Sequence, residues 1–278
     1  MIARLGPAAA ALVVLSASPP APAAAAAVAQ PVPEVMAALG DSISTGFNAC
    51  GFYVSCVARS WSSGDNGEVS SHYLRLAEMS GTLQTQNYAV PGSTSADLLG
   101  QMKKAVAAKA DYVTILIGAL DACVRTEQAM TPVQTYRRRL DTALAELRAG
   151  MPGARVFFAS IPDVRRLWQI GRTHPLARTF WSAGRICQSL LVRPTSTRRA
   201  DTERRSRVRA RVIAYNRAAA DACAAFGPNC RTDGGAVFSY PFTLDHVSKW
   251  DYFHPNTAGQ RILAAQTYDR TFTWLDPR

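Results

Sequence analysis

Four short segments hold residues whose types could share one reaction. Gly40-Asp41-Ser42-Ile43-Ser44, Pro91-Gly92-Ser93 and Gly118-Ala119-Leu120-Asp121 each follow a run that reads as a strand. Asp251-Tyr252-Phe253-His254-Pro255-Asn256 lies near the C-terminus. A serine at a strand-to-helix turn can expose its hydroxyl beneath backbone N–H groups. A histidine within reach can take the hydroxyl proton, and a carboxylate can orient that histidine. The chemistry would be nucleophilic attack through an activated hydroxyl, which requires neither a metal nor an organic cofactor. Of the four histidines, His254 is the best base: it precedes a helix start, and Asp251 stands three residues before it. One turn can bring both to a site. His246, in Leu244-Asp245-His246, competes with it. His72 reads as a helix-surface residue and His174 as a loop residue.

These segments need a frame that gathers them. Val35 to Leu39 reads as a buried strand, Gln84 to Val90 as a second and Tyr112 to Ile117 as the clearest, being continuous and rich in β-branched residues. Arg155 to Ser160 is the next strand and Gly235 to Ser239 a last short one. Leu74 to Met79, Ser95 to Ala110, Pro132 to Arg148, Ser206 to Phe226 and Asn256 to Leu275 read as helical. In Pro132 to Arg148 the apolar residues Val133, Tyr136, Leu140, Leu144 and Leu147 recur every three or four positions. Strands alternating with helices predict a single-domain α/β/α sandwich with a central parallel sheet. Ligands of such a sheet bind at the carboxyl ends of the strands, where three of the four segments fall. Residues 161–205 fit the alternation worst and read as an insertion or lid beside the ligand end.

The chain has 278 residues, 48% of them hydrophobic and 18% charged, enough for a sizeable core and against disorder. Its formal charge is +11, carried largely by arginine. Nucleic acid is not an expected partner, because the basic run Arg193 to Arg217 has no stacking aromatics interleaved among its arginines before Tyr215 near its end. That run could instead meet an anionic lipid head group, or form a solvated helix face. Residues 1–29 read as a secretory signal peptide: Arg4, an apolar stretch from Ala8 to Leu15, and Ala27-Val28-Ala29 before a cut. Residues 30–278 would form the mature, extracellular domain, expected as a monomer. The six cysteines, Cys50, Cys56, Cys123, Cys187, Cys223 and Cys230, agree with an oxidising compartment. Cys50–Cys56 and Cys223–Cys230 could staple short loops, and Cys123–Cys187 would then close the middle segment, one of fifteen pairings. None of the spacings is of zinc type.

Taken together, the four segments resemble the blocks of the SGNH, or GDSL-type, serine hydrolases, a superfamily with a flavodoxin-like sheet. Gly40-Asp41-Ser42-Ile43-Ser44 is similar to its first block, Gly92 to the glycine of its second, Gly118-Ala119-Leu120-Asp121 to its third and Asp251-Tyr252-Phe253-His254 to its last. The three-disulfide secreted actinobacterial lipases and esterases look most similar. The resemblance implies Ser42 as nucleophile, His254 as general base and then acid, Asp251 as its orienter, and the N–H groups of Ser42 and Gly92 as oxyanion donors. Asp41 and Asp121 would hold the Ser42 loop and its neighbours. Leu120 departs from the pattern, because the family usually has an asparagine there as third oxyanion donor and leucine cannot donate. Another group could supply the donor, two backbone donors could suffice for a reactive ester, or hydrolysis could be slow. The expected function is a secreted esterase or lipase acting on carboxylic esters. An extracellular acyltransferase is the alternative, and a catalytically impaired ligand-binding homologue a weaker one. Phe47, Phe52, Tyr53, Trp61, Trp250, Tyr252 and Phe253 suggest an aromatic-lined cleft for an apolar group, or core packing.

Overall fold

Five runs form strands: Val35–Gly40 (β1), Gln84–Asn87 (β2), Tyr112–Leu116 (β3), Arg155–Phe158 (β4) and Cys230–Thr232 (β5). In the computed structural model of the chain, residues 1–2 and 31–271 are described. Nearly all of the expected signal peptide, and the expected terminal helix past residue 271, lie outside the described residues. All strand pairs are parallel, in the order β2-β1-β3-β4-β5. Every residue of β3 and β4 is buried, as strands covered on both faces require. The Asp111 carboxylate, just before β3, accepts from the N–H groups of Glu34 and Val35 and so ties the starts of β1 and β3 together.

Parallel neighbours need crossovers, and helices supply them: His72–Ser80 (α1), Leu98–Ala107 (α2), Ala119–Ala122 (α3), Val133–Gly150 (α4), Val164–Gly171 (α5), Pro175–Ala183 (α6), Gln188–Leu191 (α7) and Arg199–Phe226 (α8), while Ala236–Ser239 (α9) and Thr257–Thr271 (α10) follow β5. Strand order reverses at β1. Right-handed crossovers therefore put α1 on one face and α2, α4 and α8 on the other. Tyr136 of α4 stacks on Tyr215 of α8 with ring centroids 4.4 Å apart. The result is the expected single-domain α/β/α arrangement.

His72 corrects its sequence reading. It is fully buried at the start of α1, because α1 turns its first residue toward the sheet. Its Nδ1 lies 2.8 Å from the Tyr112 hydroxyl and its Nε2 2.7 Å from the Thr267 hydroxyl of α10. Burial, with Arg75 adding to it, pushes its pKa down to about 3, so the ring is neutral and structural. The expected strand at Gly235 to Ser239 is the helix α9, and the last strand is β5. A short run with three apolar side chains, Ala236, Val237 and Phe238, fits either state. Here the Asp233 carboxylate accepts from the N–H groups of Gly235 and Val237 and starts a helix.

Residues 161–198 form α5, α6 and α7 with their connections, packed beside the strand ends as the sequence suggested, and residues 199–205 of the expected insertion open α8. Three arginines of α8 help to hold that layer. Arg209 meets Asp163 at 2.7 Å, Arg204 donates to the Gln188 and Ser189 carbonyls of α7 at 3.1 and 3.0 Å, and Arg205 lies 4.4 Å from the centroid of the Trp168 ring. The cysteines are bonded as Cys50–Cys56, Cys123–Cys187 and Cys223–Cys230. Among the described residues no helix is long and apolar enough to cross a membrane.

Candidate active site

In a sheet of this order, β1 and β3 leave the topological switch point in opposite directions, which opens a crevice at their carboxyl ends. Ser42 follows β1 there. Gly40 makes the exit possible: its φ is 139°, and a Cβ would lie 2.1 Å from the Leu116 carbonyl oxygen. The Gln101 amide of α2 clamps the Gly40 peptide, accepting its N–H at 2.8 Å and donating to its carbonyl at 2.9 Å. Asp41 Oδ1 accepts from Ile43 N–H at 2.9 Å, while the Asp41 carbonyl accepts from Ser44 and Thr45 N–H. The turn is thus fixed before Ser42 does anything.

His254 arrives from a second turn at the other end of the chain. Asp251 Oδ1 accepts from the N–H groups of Phe253 and His254, at 2.9 and 3.1 Å. Asp251 Oδ2 lies 2.5 Å from His254 Nδ1. The opposite ring nitrogen, Nε2, lies 2.8 Å from Ser42 Oγ. Of the four histidines, this one meets the serine. His246 lines the same cleft, but its Nδ1 accepts from Thr243 N–H at 3.1 Å. Burial lowers the His246 pKa against the opposing pull of Asp245. His174 caps the start of α6.

Asp251 is buried, which by itself would raise its pKa. The hydrogen bond and charge of His254, then the two backbone N–H groups, outweigh burial and hold it below the ordinary carboxylate range. A further donor was not read from the sequence. Asn48 Nδ2 donates to Asp251 Oδ2 at 2.7 Å, and Asn48 Oδ1 accepts from Tyr53 N–H at 2.7 Å. The second bond fixes which end of the amide faces Asp251. Asn48 is 1% exposed with a φ of 60°, a conformation asparagine tolerates better than most residues. Its position six residues past Ser42, beside Cys50, was the signal available.

The other strand ends converge on the same crevice. Gly92, with a φ of 91°, sits in the loop after β2. Among the described residues, neither the Ser42 nor the Gly92 N–H donates to a protein acceptor. Asp121 accepts from Ser95 N–H and Oγ at 2.8 and 2.6 Å, which ties the loop after β2 to α3. Leu120 is half-buried and lines the cleft.

That cleft, about 700 Å³ with the solvent at its open mouth included, has Ser42 and His254 in its wall. Ile161, Val164, Leu167 and Ile170 line it with Leu120. It is mainly aliphatic, which corrects the expected aromatic lining: only Phe253 of the seven suggested aromatics is in its wall. Trp61 is wholly in the core, and Tyr252 packs on His174 and Phe180. The reason is α5, whose apolar side faces the cleft from the segment after β4. Among the described residues no three or more His, Cys, Asp or Glu side chains gather where they could hold a metal.

Solved structures share this fold at low sequence identity. LAE5, an alpha/beta hydrolase enzyme from the metagenome of Lake Arreo, aligns with a TM-score of 0.54 and 17% identity over 85% of this chain and 94% of its own. A variant of an acetyl xylan esterase from Geobacillus stearothermophilus gives 0.53 and 16% over 85% and 94%. Phospholipase A1 from Streptomyces albidoflavus gives 0.53 and 18% over 86% and 99%. No curated protein matches the sequence. The family model for GDSL-like lipases and acylhydrolases matches residues 38–262, a span that runs from β1 through the Ser42 turn to α10. With that match and the shared sheet, the chain belongs to the GDSL-like lipase/acylhydrolase family.

Proposed function

We propose that this chain is a secreted carboxylic ester hydrolase that works through an acyl-enzyme on Ser42. The hydrogen-bonded series Asp251–His254–Ser42 carries the reading. His254 Nε2 takes the Ser42 proton as Oγ attacks the ester carbonyl, and Asp251 stabilises the imidazolium that forms. The same proton then goes to the leaving alcohol. Water, activated by His254, attacks the acyl-enzyme and releases the acid. The three disulfides and the signal-like first 29 residues support export.

The oxyanion is assigned to the N–H groups of Ser42 and Gly92. Leu120 adds no donor and serves instead as wall of the acyl cleft. A missing donor costs on the order of 10²–10³ in kcat, so good leaving groups are favoured. The same deficit favours a nucleophilic alcohol over water as acceptor, and acyl transfer is the second reading. The aliphatic cleft suits an acyl chain longer than acetyl.

Asn48 is proposed to position Asp251 rather than to touch substrate. Asp41 is proposed to hold the Ser42 turn through Oδ1 alone. Its Oδ2 has no hydrogen-bond partner among the described residues. Burial pushes the Asp41 pKa from 3.8 up to about 7, against the pull of Ile43 N–H and His254. An acid of this kind keeps its proton in the folded chain after the unfolded chain has lost it. Through this one group, raising the pH across that window favours unfolding.

Three outcomes follow from these assignments. With p-nitrophenyl esters from acetyl to palmitoyl, turnover prefers chains longer than acetyl and vanishes in Ser42→Ala, while Leu120→Asn raises kcat by about tenfold or more; activity that survives Ser42→Ala would remove the reading. In steady-state kinetics Asn48→Ala lowers kcat about tenfold with KM unchanged, because base strength and not binding is altered. In denaturant titrations Asp41→Asn, which keeps the acceptor for Ile43, gains stability relative to the parent as pH rises from 3.8 toward about 7; taking the difference cancels the opposite pH dependence that buried, neutral His72 gives both proteins.

A further inference from the structure

Large apolar side chains are exposed in one place more than anywhere else among the described residues. Phe52, Tyr53, Val54 and Val57 follow one another on the loop after the Ser42 turn, and Trp250 joins them from the His254 turn. Their exposures run from 39% to 66%. The Phe52 ring lies 4.7 Å from that of Tyr53 and 5.8 Å from that of Trp250, centroid to centroid. The other exposed apolar residues, such as Met79, Val192 and Ile213, are scattered along the sequence.

The loop cannot simply fold these rings away. Cys50–Cys56 closes it. Asn48 N–H donates to the Val54 carbonyl at 2.9 Å, and Tyr53 N–H donates to Asn48 Oδ1. Tyr53 itself is held at a φ of 55°. Contiguous apolar surface kept rigidly in water marks an interaction site. Its chemistry is specific: aromatic rings with polar edges concentrate at the boundary between water and lipid. A cation accompanies them, for Lys249 Nζ lies 5.3 Å from the centroid of the Trp250 ring. The chain as a whole is strongly basic, at +11, which complements an anionic surface.

The patch also adjoins the chemistry. The Phe47 ring lies 5.9 Å from that of Tyr53 and 4.9 Å from the imidazole of His254. One ring therefore separates the exposed patch from the catalytic base. We infer that the Phe52–Val57 loop and Trp250 seat the enzyme on an anionic lipid surface, with the ester cleft beside the membrane boundary. The identity of that surface rests on the ester hydrolase reading.

The test uses Ser42→Ala protein, disulfides formed, and cosedimentation with vesicles of phosphatidylcholine alone or mixed with phosphatidylglycerol. Ser42→Ala partitions onto the mixed vesicles more strongly than onto the neutral ones. Adding Phe52→Ser with Trp250→Ser weakens that partitioning by about tenfold or more. Adding Lys249→Gln weakens it about fivefold on mixed vesicles only. In the Ser42 background, Phe52→Ser with Trp250→Ser leaves kcat/KM on a soluble short-chain ester unchanged, which also shows that the variant folds. Equal partitioning of the aromatic variant and its parent would overturn the inference. So would equal affinity for both vesicle types, or a parent that sediments as a dimer which the aromatic substitutions dissociate. If vesicle binding follows the prediction but the Ser42 protein hydrolyses no ester, the reading of the reaction fails and the docking surface stands.

Discussion

A buried carboxylate stays ionised only where donors replace the water it has lost. Asp251 meets that requirement with four: the His254 ring, two backbone N–H groups of its own turn, and the Asn48 amide. Each donor constrains a different part of the chain. The backbone pair fixes the Asp251–His254 turn. The ring aims Nε2 at Ser42. The amide, 203 residues away from Asp251 in sequence, brings in the adjoining loop closed by Cys50–Cys56. Remove the ionised carboxylate and the imidazole, the loop and the serine lose their common reference.

The sheet provides the other half of that geometry. Reversal of strand order at β1 opens a crevice, and Gly40 lets the chain leave β1 against the β3 backbone into it. Gln101 and Asp121 then fasten the neighbouring loops. A nucleophile on this turn is held by backbone contacts rather than by its own side chain. Its hydroxyl can therefore stay free for the histidine. The exposed rings of the Phe52–Val57 loop share this support, because the Asn48 that holds Asp251 also holds the loop backbone.

Much of this was legible in the sequence, because it is written in short, contiguous signals. The parallel sheet followed from apolar runs such as Tyr112 to Leu116, and the Ser42 and His254 turns from residue types packed into four or five positions. The chain's three disulfides followed from spacing and resemblance. What was not legible depends on long-range placement. Asn48 is one asparagine in a loop until the fold brings it to Asp251. Gln101 looks like any polar residue of a helix until it meets Gly40. His72 carries two ring nitrogens, and only the fold supplies the Tyr112 and Thr267 hydroxyls that let it enter the core. The run after Gly235 could satisfy a strand or a helix, and the Asp233 carboxylate decided between them.

The central claim is that Ser42 becomes a nucleophile because His254, oriented by Asp251, can remove its proton. The direct measurement is intact-protein mass spectrometry after mixing with one equivalent of a p-nitrophenyl ester, followed by peptide mapping. The account predicts a single added acyl group on Ser42, formed with a matching burst of p-nitrophenol, and no such adduct in His254→Ala. Acylation at another residue, or an undiminished Ser42 adduct in His254→Ala, would contradict it.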